Sequence, residues 1–178
     1  NELKNTDIDI ICHNEIMIDK LSNTEIKLFH GKYKNFRDLF FKGNCLSTSA
    51  VTVNRDLVIK LNGFSEDLRI NGVEDYDLWI RIYMQTSKIK FIPQFLGYYV
   101  INGFNISKES EYLNKLISLY LLYTKKLNLS FFELNILLRL KFIKLVIRKL
   151  ISSRYSYINI FKYLYEIFIL FTKFKYIR

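Results

Sequence analysis

Cysteine is nearly absent from these 178 residues: there are two, Cys12 and Cys45, with no C-x-x-C pair. That excludes the disulfide framework of a small secreted protein and leaves two reduced thiols, read as buried small hydrophobes in a cytosolic setting. Histidine is as scarce. His30 has no acids or cysteines near it in sequence and reads as a surface or turn residue, and His13 is read the same way. Long uncharged apolar runs are missing too, because Arg139, Lys144, Arg154, Lys162 and Glu166 interrupt every eighteen-residue candidate, so no membrane span is expected. No short apolar stretch follows a basic start, so no signal peptide is read. The chain opens at Asn1 instead of methionine, which suggests a fragment or a processed product.

Glycine and proline are confined to one part of the chain. All six glycines and Pro93 precede residue 104. The net charge of +10 divides in a similar place: residues 1–110 hold 14 Lys and Arg against 14 Asp and Glu, whereas residues 111–178 hold 13 against 3. Two regions of different architecture are therefore expected, an α/β region over 1–107 and an all-α, basic, amphipathic helical extension over 108–178.

Within the first region, Thr6 to Cys12 alternates as a strand, and Glu15 to Asp19 reads as a second one after a turn at His13-Asn14. Leu21 to Lys42 reads as a loop and then a short helix with Phe36, Leu39 and Phe40 on one side. Cys45 to Val53 reads as a strand with small residues at its start. Asn54 is placed to cap a helix over Arg55 to Leu61, which Asn62-Gly63 ends. Lys88 to Ile92 reads as a strand closed by Pro93, and Phe95 to Ile101 as another. In the second region, helices are expected over roughly 108–127, 131–152 and 157–176, with Ser130 to Glu133 as a capping box.

The chemistry-bearing stretch is Gly72 to Arg81. Glu74, Asp75 and Asp77 open a helix whose pairs Leu78/Ile82 and Trp79/Tyr83 form an apolar stripe. Acids in a first turn complement the helix dipole and accept orphan N–H bonds; equally, one of them could be a base aimed into a cleft. Asp7-x-Asp9 and Asp75-x-Asp77 both match a metal-binding D-x-D. The first pair precedes the apolar part of its strand, and helical residues two apart point nearly opposite ways, so neither reads as a metal clamp.

The ordered set Gly43-Asn44, Ser47, Arg55, Gly63-Phe64, Glu74-Asp75, Leu78-Trp79, Arg81, Pro93, Leu96, Tyr99 and Ser107 resembles the family 2 glycosyltransferases over roughly residues 6–107. The resemblance implies an α/β chain with a partial GT-A-like mixed sheet and flanking helices, namely the acceptor-side part of that fold. It implies an inverting sugar transfer from a nucleotide sugar to a saccharide or lipid-linked acceptor in surface polysaccharide synthesis. Asp75 would be the general base and Glu74 would brace it. Asn44, Trp79 and Arg81 are carried over as substrate-binding positions, with Trp79 and Arg81 also suited to holding the helix. The nucleotide-binding half has no counterpart in this sequence. The complete enzyme would take a divalent metal, Mn or Mg, on ligands outside this chain, and the chain alone is expected to be inactive. Asn102 stands where many relatives have a histidine.

For the tail, Lys141, Lys144 and Arg148 form one stripe opposite Ile143, Val146, Ile147 and Leu150. That suits either a solvated face over a bundle or peripheral attachment to an anionic surface, on the inner face of the plasma membrane. The alternative to an enzyme is a non-enzymatic basic module that binds anionic membrane or nucleic acid. Phe161, Tyr165 and Phe168 fall at helical core spacing and form no stacking platform, so nucleic acid is not expected as a partner.

Overall fold

The computed structural model describes residues 7–101 and 109–128, with isolated positions from 130 to 143. The expected helices over 131–152 and 157–176, the basic stripe on them and Asn102 lie outside the described residues, apart from the start of the first. There Ser130 Oγ accepts from the Glu133 N–H at 3.2 Å while Glu133 Oε2 accepts from the Ser130 N–H at 2.9 Å, the reciprocal pair of a capping box.

The architecture is α/β, with a mixed four-stranded sheet and flanking helices. In chain order the elements are β1 (Ile10–Asp19), β2 (Thr24–Leu28), α1 (Phe36–Lys42), β3 (Val51–Val53), α2 (Arg55–Lys60), α3 (Glu74–Gln85), β4 (Ile89–Ile101) and α4 (Glu109–Lys126), with single 3-10 turns at Thr48–Ala50 and Leu68–Ile70. The chain divides into two compact units, Asn1–Leu119 and Tyr120–Arg178. No helix among the described residues is long and apolar enough to cross a membrane.

Every strand of the sheet pairs with β1. Along one edge β4 runs parallel to it from Ile10↔Ile89 to Asp19↔Ile101. The other edge is shared by two antiparallel partners, β3 at residues 10–12 and β2 at residues 15–19.

This corrects four expectations, one of which is that Leu21 to Lys42 opens as a loop: β2 lies within it. The turn expected at His13-Asn14 is absent, and 10–19 is one strand. Asn14, a frequent turn former, is instead buried at 3% exposure, where its Nδ2 donates to Pro93 O at 2.8 Å and its Oδ1 accepts from His30 N at 2.8 Å. Pro93 likewise does not close a strand. It has no N–H to give the ladder, so the β1–β4 register slips at His13/Asn14 and Asn14/Glu15, and the Asn14 carboxamide bridges the irregularity while β4 continues. The hairpin lies between β1 and β2, turning at Lys20 to Asn23, where Asn23 adopts φ 53° and Asp19 Oδ1 accepts from Leu21 N. The strand expected over 45–53 is shorter as well: Ser47 to Ala50 curls, and only Val51–Val53 joins the sheet.

Helix starts follow the sequence closely. Asn35 caps α1 through the Asp38 N–H, and Asn54 caps α2 through the Asp56 and Leu57 N–H groups. Asn62 (φ 61°) and Gly63 (φ 64°) turn the chain out of α2 in the left-handed region. Helix α3 is buried well beyond one stripe: Tyr76 through Ile80, Ile82 and Tyr83 are all inside. Tyr76 Oη donates to Leu39 O at 2.8 Å, which fixes α3 against the end of α1. Ile10, Cys12, Leu39, Phe40 and Ala50 complete the core around it. Both cysteines are free, and burial pushes their thiols up to about 11 for Cys12 and about 12 for Cys45, so neither ionises near neutrality.

Candidate active site

Glycine 72, at φ 97°, redirects the chain into α3 so that its first turn meets the curled Ser47–Ala50 segment. Val73 occupies the N-cap position without a side-chain cap, which leaves the first N–H groups of the helix to the acids.

The three acids then do three different things. Glu74 Oε2 accepts from the Gly72 N–H and braces the turn. Asp77 is buried at 3% exposure and pairs with Arg81 one helical turn on, at 2.7 Å. Asp75 Oδ1 accepts from the Tyr76 N–H at 2.6 Å, and its Oδ2 accepts from Thr48 Oγ1 at 3.0 Å. Burial pushes the Asp75 carboxyl above its ordinary value, and the Glu74 charge adds to this; the Thr48 hydroxyl and the Tyr76 N–H offset it only in part.

Asp75 and Glu74 lie on a cleft of ≈ 980 Å³. Ser47, Thr48 and Ser49 supply hydroxyls to its lining, Phe64, Tyr98 and Tyr99 supply rings, and Leu28 and Val100 supply aliphatic surface. The mixture of acceptors and flat apolar faces suits a polyol with C–H faces, and the raised carboxyl of Asp75 suits proton abstraction from a hydroxyl.

The other expected binding positions are not among the cleft-lining residues. Arg81 extends from Asp77 to donate to Leu61 O and to Gly63 O (2.8 Å), so it clamps the turn that carries Phe64. Trp79 is 2% exposed and meets Phe64 edge-on, with centroids 6.5 Å apart, so it backs the cleft wall from behind. Its Nε1 is buried with no hydrogen-bond partner among the described residues. Asn44 Oδ1 accepts from Leu46 N at 3.0 Å and shapes its own loop.

Two residues beneath the cleft escaped the sequence reading. Glu15, on β1, is fully buried, and its Oε2 meets His30 Nε2 at 2.9 Å. The expectation that His30 is a surface or turn residue without an acid partner is therefore corrected: a residue fifteen positions away in sequence meets it across the fold. Burial drives the Glu15 carboxyl up, yet the nearby hydroxyls of Ser49 and Ser47, together with His30, outweigh it and hold the group below its ordinary value. Oε1 completes no hydrogen bond of good geometry and lies beside Gly97, where an added Cβ would come within 3.7 Å of it. Glu15 itself is buried although Met17, two residues on, is only half-buried, so its burial is a matter of tertiary position that strand alternation does not give.

Neither D-x-D pair fits a divalent metal. Asp7 is taken by Lys88, Asp9 accepts from Thr86 at 2.6 Å, and Asp77 is taken by Arg81 on the side away from Asp75. Among the described residues no group of three or more His, Cys, Asp or Glu is placed to hold a metal. No family model, curated protein or solved structure matches the chain.

Proposed function

We propose that the first unit is the acceptor-binding side of a GT-A-type, family 2 glycosyltransferase, with Asp75 as general base. The observation that carries this reading is the Asp75 carboxylate, raised by burial, on a cleft lined with hydroxyls and aromatic rings. In the reaction an acceptor hydroxyl gives its proton to Asp75 as its oxygen bonds to the anomeric carbon. The bond from that carbon to the nucleoside diphosphate breaks on the opposite face, and the configuration inverts. Glu74 holds the turn that presents Asp75. Arg81 and Trp79 hold the Phe64 wall in place. The residues that hold donor and metal belong to a half of the fold that this sequence does not resemble.

The acceptor is a saccharide or lipid-linked saccharide of surface polysaccharide synthesis. The charge of residues 111–178, 13 basic against 3 acidic, supports peripheral attachment to the anionic inner face of the plasma membrane. The same charge also supports a second reading, a non-enzymatic module bound to anionic membrane.

The test is a transfer assay on the full-length protein that includes the donor-binding half, with nucleotide sugars, a divalent metal and a panel of saccharide acceptors. Asp75→Asn is expected to lower turnover by about 10²–10⁴-fold, the range for loss of a general base. Activity untouched by that substitution would sink the reading, and vesicle binding without any transfer or donor hydrolysis would favour the second one.

A further inference from the structure

Phe64 lines the cleft and is 46% exposed. One exposed ring on a surface needs no explanation, but this ring is held in ways that an incidental one is not. The two residues before it, Asn62 and Gly63, both turn in the left-handed region. Arg81 reaches across from α3 and donates to the carbonyls on either side of Asn62, Leu61 O and Gly63 O. The guanidinium is itself held by the Asp77 carboxylate at 2.7 Å. From behind, the buried indole of Trp79 meets the Phe64 ring edge-on. A buried ion pair is a costly way to stabilise a helix. Here the rest of the guanidinium fork goes to the turn that carries the ring, so what it secures is the position of Phe64.

The same cleft carries the carboxylates of Asp75 and Glu74 and the hydroxyl of Thr48. A wholly apolar ligand would cover these groups without replacing their water. An open-chain polyol would bring hydroxyl donors, but it has no fixed face to lay on a fixed ring and would lose more freedom on binding. A pyranose brings both, with hydroxyls around its rim and a rigid face of C–H groups. We infer that Phe64 is the platform on which a cyclic saccharide stacks, and that Arg81 is a positioning residue that acts through it. The platform makes the cleft selective for ring-form sugars over open-chain polyols and over apolar ligands. This inference rests on the acceptor reading above and adds the substrate class and the residue that selects it.

The full chain is titrated with methyl β-glucoside, sorbitol and cyclohexanol, which bring hydroxyls on a rigid C–H face, hydroxyls without that face, and an apolar ring with a single hydroxyl. Trp79 is the one tryptophan of the sequence, so its fluorescence reports on the Phe64 contact while ligand-observed NMR gives the affinities. Methyl β-glucoside is expected to bind about tenfold or more tightly than either of the others. Phe64→Leu keeps apolar bulk without a flat face and is expected to weaken glucoside binding about three- to tenfold, whereas Phe64→Tyr keeps the ring and the affinity. Arg81→Lys keeps a cation for Asp77 but loses the fork that spans two carbonyls. It is expected to weaken glucoside binding by a similar factor, to shift Trp79 emission, and to cost nothing further in the Phe64→Leu background. Losses that add in the double variant overturn the positioning role of Arg81, and the Phe64 pair tests the platform even where Arg81→Lys fails to fold. Absence of glucoside binding, binding untouched by Phe64→Leu, or binding matched by sorbitol or cyclohexanol overturns the platform and leaves the acceptor reading to the transfer assay. Phe64-dependent binding in a full-length protein that transfers nothing upholds the platform and overturns the acceptor reading.

Discussion

Thr48 donates a hydrogen bond to Asp75 across 27 positions of sequence, joining the curled segment before β3 to the first turn of α3. The bond steadies the Asp75 carboxylate and holds its pKa below the level that burial alone would impose. As the proposed general base, Asp75 would work only when deprotonated, so activity is expected to fall as pH drops through the raised Asp75 value. Thr48→Val keeps the shape and removes the donor. The acid limb of the pH–rate profile is expected to move to higher pH, with the alkaline limb unchanged. A rate loss that is uniform across pH would show that Thr48 acts on something other than Asp75.

Stability separates the two roles open to Asp75. If its work were to satisfy the start of α3, Asp75→Asn would cost about 0.3–1 kcal/mol of dipole complementation. Burial penalises its charged form instead, and a carboxyl whose native pKa is raised weighs against folding at neutral pH, so the amide relieves the fold. Chemical denaturation at pH 7 should therefore show Asp75→Asn as stable as the parent or more so.

Arg81 presents the opposite case. Its guanidinium is 19% exposed, pairs with an Asp77 side chain that is 5% exposed, and clamps the carbonyls of Leu61 and Gly63. Arg81→Met should lower unfolding free energy by about 3–5 kcal/mol, since Asp77 loses its cation in the interior. Asp77→Asn in the same chain should restore part of the loss. A single-variant cost below about 1 kcal/mol would mean that the clamp is solvated.

Glu15 gives the fold a dependence on acid. Its native pKa is lowered from 4.5, so its contribution is complete above that value and disappears as pH falls through the lower native one. Melting temperature should drop with falling pH below about 4.5, and Glu15→Gln should flatten this decline. An identical slope in the variant would assign acid sensitivity to other carboxylates.

Local signals were legible wherever the physics is local. Asn54 and the Asn62-Gly63 turn marked the ends of a short helix because capping and left-handed backbone are settled within four residues. The acidic start of α3 was legible for the same reason. Asn14 was misread because its preference for turns was overruled by a register slip that Pro93 creates 79 residues later, which no window along the chain contains. His30 and Glu15 were missed likewise: their pairing exists only because β1 brings one beneath the loop that carries the other. The sharing of work among Glu74, Asp75 and Asp77 was beyond sequence too, since it depends on Thr48, Gly72 and Arg81 each claiming one of them.

The dependence of the sheet on β1 also constrains how the chain can fold. The β1–β2 hairpin closes over a short turn and can form early, but β1 then offers its other edge, ten residues long, to whatever arrives. Its proper partner is translated last: Ile10 waits for Ile89. Until β4 docks, that open edge is a template for pairing with another copy, so slow parallel closure and concentration-dependent misassembly during refolding follow from the long sequence separation of β1 and β4.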